Sequence, residues 1–222
     1  MKWILPAGAV ALTLFGGGAW YLTQGAGQTG AADVRLPGAA QAQAADIDIS
    51  TVTEMVKGAE DAPIEVIEYA SYTCPHCASA HANLIPKLQQ NYIDTGKVKF
   101  IYREVYFDKV GVWASLIARC GGEEKFFGIT DLLYEGQSEW ARQGEQGIIA
   151  AFRKIGLKAG MESDQIEACL NDGDQIATLV GWFQANAAEH EINSTPSFVI
   201  DGKKYSNMSY EEFSAILDAK LD

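Results

Sequence analysis

The segment Ser71-Tyr72-Thr73-Cys74-Pro75-His76-Cys77-Ala78-Ser79-Ala80-His81 (SYTCPHCASAH) sets two cysteines three positions apart around a proline and a histidine. It joins two different patterns. Upstream, Ile64-Glu65-Val66-Ile67-Glu68-Tyr69 is rich in β-branched residues, has Pro63 at its entry, and reads as a strand. Downstream, Ala78, Ala80, His81, Leu84, Ile85, Leu88 and Tyr92 follow helical spacing. Pro75 suits the first turn of that helix, where no N–H is needed. Pro86 predicts a kink within it and Gly96 marks its end. Cys74 is therefore expected at a helix N-terminus, with Cys77 one turn in.

That placement has a chemical consequence. Backbone N–H groups and the helix dipole favour negative charge at a helix start, and only a thiolate attacks a disulfide. Cys74 is expected to be the acidic, exposed nucleophile and Cys77 the buried resolving thiol. His76, as donor or cation, is expected to stabilise the Cys74 thiolate further. Stabilising the thiolate stabilises the dithiol form, so a Cys74–Cys77 disulfide becomes easy to reduce and the protein an oxidant. The competing readings are a structural clip or half a metal site. A structural zinc takes four ligands, and the sequence has no second close Cys pair. A metal-binding chaperone using the pair with His76 and His81 is the rival from another class. Apart from that, His81 and His190 read as surface or cap residues.

Working outward, Lys97 to Tyr102 (KVKFIY) alternates polar and apolar and reads as a second strand, so that strand, helix and strand form a parallel unit. Residues 109–190 read as helical, with turns marked by Gly121-Gly122, Gly136, Gly144, Gly156, Gly160 and Gly173. Then Ser197-Phe198-Val199-Ile200 and Lys203-Lys204-Tyr205 flank Asp201-Gly202, a hairpin signal. Ser209 and Glu212 form a capping box for a last helix that buries Phe213, Ile216 and Leu217. The order is βαβ, a helical block, then ββα: an α/β fold with a large all-helical insertion between two halves of one sheet. The expected divisions are a core domain of 51–108 with 191–222 and an inserted helical domain of 109–190. A formal net charge of -12 argues against nucleic acid, whose phosphates want a basic face.

The start of the chain is different. Trp3 to Leu22 carries no charge and as a helix spans about 30 Å, a bilayer core. With no Lys or Arg between Lys2 and Arg35, its amino terminus is expected to stay cytoplasmic. Residues 1–22 thus read as a membrane anchor or signal peptide, and 23–50 as a flexible, Gly/Ala/Gln-rich linker. The small-x-small run Ala42-Gln43-Ala44 offers a cleavage site, although one far from the apolar stretch. Either reading exports the domain. In an oxidising compartment an even number of cysteines suggests pairs, so Cys120 and Cys169 are expected to bond to each other. The alternative is two unbonded core thiols.

The segment Glu68-Tyr69-Ala70-Ser71-Tyr72-Thr73-Cys74-Pro75-His76-Cys77, together with Ser194-Thr195-Pro196-Ser197-Phe198-Val199-Ile200-Asp201-Gly202, resembles the DsbA family of exported thiol:disulfide oxidoreductases. The likeness runs from about Ile64 to Leu221. It implies a thioredoxin-like fold, disulfide formation in cysteine-containing polypeptides in a bacterial periplasm, no cofactor, and a DsbB-type membrane partner for reoxidation. It implies that Thr195-Pro196 is a cis bond beside Cys74 that meets substrate. It also implies that Glu68 is a buried acid serving Cys77, where the residues alone equally allow a solvent-facing position on an edge strand. Two departures stand out: threonine before the cis-proline is shared with isomerases and reductases, and position 81 is histidine where an acidic residue is expected.

Overall fold

The computed structural model describes residues 47–222. The expected anchor, residues 3–22, and most of the expected linker lie outside them. Among the described residues no helix is long and apolar enough to cross a membrane. Residues 47–50, read above as the end of the linker, belong instead to the folded body. Asp48 caps a short 3-10 turn at Ile49–Thr51, and Ile47 and Ile49 reach Gly181, where a Cβ would come within 3.3 Å of the Ile49 side chain.

A short strand β1, Met55–Lys57, comes first and was not legible beforehand; β2, Ile64–Ala70, leads into the cysteine loop. Helix α1 covers Pro75–Asn83 and α2 Ile85–Leu88, followed by a wide π-type turn over Gln89–Ile93. Pro86 therefore does more than kink one helix: the axis breaks at Leu84, because proline lacks the N–H and crowds the preceding turn. After β3, Val98–Glu104, the inserted helices are α3 (Lys109–Cys120), α4 (Glu123–Glu135), α5 (Gln137–Trp140), α6 (Glu145–Lys158), α7 (Ser163–Leu170) and α8 (Gly173–Glu189). Strands β4 (Ser197–Ile200) and β5 (Lys203–Ser206) and helix α9 (Tyr210–Leu221) complete the chain.

The sheet has the order β1-β3-β2-β4-β5. Only β2 and β3 run parallel; the other pairs are antiparallel. The β4–β5 hairpin turns on Asp201 and Gly202, both with positive φ (45° and 79°), the geometry of a two-residue turn that matches strand twist. Edge strand β5 carries exposed Lys203 and Lys204, which discourage further pairing. The capping box of Ser209 and Glu212 is present at the start of α9.

Central position explains the burial of β2. Alternation sends Val66, Glu68 and Ala70 to the face covered by α1 and α9, and Ile67 and Tyr69 to the other. The first face continues without a break into the insertion: Phe100, Phe198 and Phe213 share one core with Phe126, Ile129, Leu133, Trp140 and Phe152. Each such side chain contributes roughly 1.5–3 kcal/mol when fully buried, so the inserted helices and the sheet stabilise one another. Gly156, expected at a turn, lies inside α6. A Cβ there would sit 2.7 Å from the Ile166 side chain, so it permits close packing of α6 on α7. Cys120 and Cys169 are disulfide-bonded across 49 residues, tying α3 to α7.

Candidate active site

Cys74 is the N-cap of α1, in extended conformation, and Pro75 occupies the first turn. Its thiol is half-buried; Cys77, one turn on, is fully buried. The two thiols are not bonded to each other, so the site is in its dithiol form. The Cys74 thiol is drawn down to about 5, first by the adjacent Cys77 thiol, against the opposing effect of burial, then by Thr195 and by the backbone N–H groups of Cys77 and His76. Burial is also what pushes the Cys77 thiol far upward, helped by the Cys74 sulfur and the negative charge of Glu68. One sulfur is thus kept charged and available while its neighbour is kept neutral and enclosed.

The bond between Thr195 and Pro196 is cis. The Cys74 thiol donates to the Thr195 carbonyl oxygen at 3.4 Å, across 121 residues of chain. The Thr195 hydroxyl is buried with no other partner among the described residues and supports the thiolate. The His76 ring is exposed, and its main-chain N–H is among the groups that lower the Cys74 thiol.

Glu68 is fully buried on the central strand, which removes the edge-strand alternative. His81, read as a surface or cap residue, is also corrected: its side chain is only 5% exposed, and its Nε2 lies 3.0 Å from Glu68 Oε2. The cause is helical geometry. His81 follows Cys77 by four residues and so shares its inward face. Its ring stacks on Tyr134 with 4.2 Å between centroids and meets Tyr102 edge-on at 5.8 Å. The hydroxyls of Tyr102 and Tyr134 are 2.7 Å apart. Glu68 Oε1 and His81 Nδ1 are both buried without a partner among the described residues. His190 caps α8 and lies 2.6 Å through Nδ1 from the Tyr69 hydroxyl, on the far side of the sheet.

One contributor was invisible in the sequence. Gln137, at the start of α5, donates from Nε2 to the carbonyl oxygens of Tyr72 (2.7 Å) and Cys74 (3.0 Å). The insertion thereby holds the loop that carries the thiols. The described residues contain no cluster of three or more His, Cys, Asp or Glu side chains suited to a metal.

Residues 50–219 match the family model described as "Thioredoxin". Among curated proteins, "Putative protein-disulfide oxidoreductase" of Rickettsia bellii is 32% identical over 170 residues, 76% of this chain and 65% of that protein; this chain thus spans slightly less than two thirds of its length. "Disulfide bond formation protein D" of Bacillus subtilis is 27% identical over 179 residues, 75% of this chain and 76% of that protein. The crystal structure of Wolbachia pipientis alpha-DsbA1 superposes with a TM-score of 0.70 at 26% identity, covering 75% of this chain and 90% of that one.

Proposed function

Since the chain belongs to the thioredoxin family, among its DsbA-like thiol:disulfide oxidoreductases, we propose that it is a thiol oxidase that introduces disulfide bonds into exported, cysteine-containing polypeptides. A substrate thiolate attacks Cys74 of the Cys74–Cys77 disulfide. The S–S bond breaks, its electron pair stays on Cys77, and Cys77 takes up a proton. A second substrate thiolate attacks the substrate sulfur of the mixed disulfide, and Cys74 leaves as a thiolate. The substrate is oxidised by two electrons, the enzyme is reduced to the dithiol, and one of the two substrate protons goes to solvent. Thr195 and Pro196 border Cys74, where an extended substrate backbone would lie.

The observation that carries this reading is the Cys74 thiol at about 5 beside a Cys77 held neutral. A good leaving thiolate makes the enzyme disulfide an oxidant. A DsbB-type membrane partner would restore the disulfide, and the apolar run at residues 3–22 would direct export to the periplasm, as anchor or as signal.

The decisive measurement is the potential of the Cys74–Cys77 pair against a glutathione buffer. An oxidase has a value near about -120 mV; a value near about -270 mV would instead make the protein a reductase. The Thr195 that precedes the cis-proline, a residue shared with isomerases, favours the second reading of a disulfide isomerase kept in the dithiol form. Redox state in cells separates the two: an oxidase rests with Cys74 and Cys77 bonded, an isomerase with them free.

A further inference from the structure

The segment from His190 to Ser197 joins α8 to β4 and carries the Thr195 carbonyl oxygen that meets the Cys74 sulfur at 3.4 Å. Among the described residues, the main chain from Asn193 to Pro196 makes no hydrogen bond to other main-chain groups, so its place beside Cys74 is set from its two ends. The first end needs holding. Glu191 has a φ of 52°, a left-handed conformation that residues other than glycine rarely adopt.

Both ends lead to one residue. Tyr69 is fully buried in the middle of the sheet, paired with Arg103 of β3 on one side and with Ser197 of β4 on the other. Its main chain thus fixes the far end of the segment, where the Ser197 hydroxyl also closes the turn by donating to the Ser194 carbonyl oxygen at 2.8 Å. Its side chain fixes the near end. The phenol oxygen lies 2.6 Å from His190 Nδ1 and 3.2 Å from the Asn186 carbonyl oxygen. Arg103 Nη1 donates to the same oxygen at 2.9 Å, and Glu54 holds Arg103 through Nε at 3.1 Å. A guanidinium only donates, so the phenol proton is left for His190 or Asn186. Burial keeps the phenol protonated, raising it above its usual range against the pull of Arg103.

We infer that Tyr69 is a positioning residue for the reaction at Cys74: its main chain and its hydroxyl hold the two ends of the segment 190–197, and through that segment they set the Thr195 carbonyl against the Cys74 sulfur. Tyr69 also stands on the strand that runs into the Cys74 loop, so one residue ties the sulfur's own chain to the segment facing it. Hydrogen bonds weaken steeply with distance and angle, and a contact of 3.4 Å leaves little slack. Releasing the His190 end lets the segment relax at Glu191 and draws Thr195 away from the sulfur and from the path of a substrate backbone.

The test reads the pH profile of iodoacetamide labelling of Cys74 in the reduced full chain, with wild type, Tyr69→Phe, His190→Ala and the double variant. Tyr69→Phe keeps the ring and the strand pairing, and His190 is only part-buried, so urea unfolding is expected to show folded protein in every case. Loss of one ordinary hydrogen bond changes an equilibrium constant roughly 3- to 10-fold, so each single variant is expected to raise the pH of half-plateau labelling by about 0.5 to 1. The double variant is expected to raise it no further, because both substitutions remove the same bond. A bond that serves stability alone would lower the urea midpoint and leave the labelling profile in place. That outcome, or shifts that add in the double variant, would overturn the inference.

The consequence for substrate rests on the oxidase reading, whereas labelling of Cys74 does not. In single-turnover oxidation of a reduced two-cysteine peptide, Tyr69→Phe is expected to raise the half-saturating peptide concentration roughly threefold, with a smaller change in the plateau rate. An unchanged half-saturating concentration would remove the substrate-facing part of the role. A wild-type protein that does not oxidise the peptide at all would sink the oxidase reading, and the labelling profiles would still decide the positioning role of Tyr69.

Discussion

The Gln137 amide nitrogen lies 2.7 Å from the Tyr72 carbonyl oxygen and 3.0 Å from that of Cys74, so a helix of the insertion clasps the backbone on which the reactive sulfur sits. Replacing Gln137 with alanine leaves two enclosed carbonyl groups without their donor. A loss of about 1–3 kcal/mol is expected from urea unfolding. Gln137→Glu is expected to be worse at pH 7, because a carboxylate would face two carbonyl oxygens, and to recover in part as pH falls and the acid regains a donor. Equal stability of the two variants across pH would show that the clasp matters little.

Cys74 sets a pH dependence whose sign can be worked out. Its folded value, about 5, lies below that of an unfolded thiol, about 8.5. A depressed acid stabilises the folded state fully above the unfolded value, and that contribution fades as pH falls through the folded one. The reduced protein is therefore expected to melt above the oxidised protein at pH 7.5, with the gap closing towards pH 5. Iodoacetamide labelling of Cys74 should reach half its plateau rate near pH 5. An oxidised form that melts higher at pH 7.5 would reverse the assignment of oxidant.

Glu104 and Arg119 form a two-pronged pair, both bonds 2.7 Å, with side chains 0% and 6% exposed. The third Arg119 nitrogen, Nη1, donates to the Thr53 carbonyl oxygen at 2.9 Å. Removing one partner strands a buried charge. Glu104→Ala is expected to cost about 3–5 kcal/mol in denaturant unfolding, while Glu104→Ala with Arg119→Met should recover part of it.

The Cys120–Cys169 bond closes a loop of 49 residues and ties α3 to α7. Replacing both with serine is expected to cost up to about 4 kcal/mol on the chain-entropy model. Peptide oxidation per folded molecule should stay at the wild-type rate. A variant that folds but has lost oxidation would give this bond a redox role.

Much of this arrangement was readable because it is local. A strand running into a Cys-Pro-His-Cys helix start, an Asp-Gly hairpin and a Ser-x-x-Glu cap each carry their instructions within a few residues. What escaped reading depends on contacts between distant segments. Strand β1 has only three residues and no alternation of its own; it pairs because β3 offers an edge. Gly156 looked like a turn because a missing side chain gives no hint that Ile166 needs the space. Gln137 is one polar residue among many until the insertion folds back on the Cys74 loop. His81 is the instructive case. Its spacing of four from Cys77 placed it on the inward face of α1, yet a histidine is expected inside only when a partner awaits it, and that partner, Glu68, belongs to another element. The cis-proline and the acid were found through likeness to a family, since no periodicity encodes either.

Cys74 and the carbonyl that meets its sulfur are separated by 121 residues. A polypeptide is made from its amino terminus, so both cysteines emerge from the ribosome long before Thr195 and Pro196 exist. Until the final strands arrive, the Cys74 thiol lacks one of the partners that make it acidic and half of the surface beside which a substrate would lie. The full set of groups that lower Cys74 is therefore assembled only when the last strands are in place.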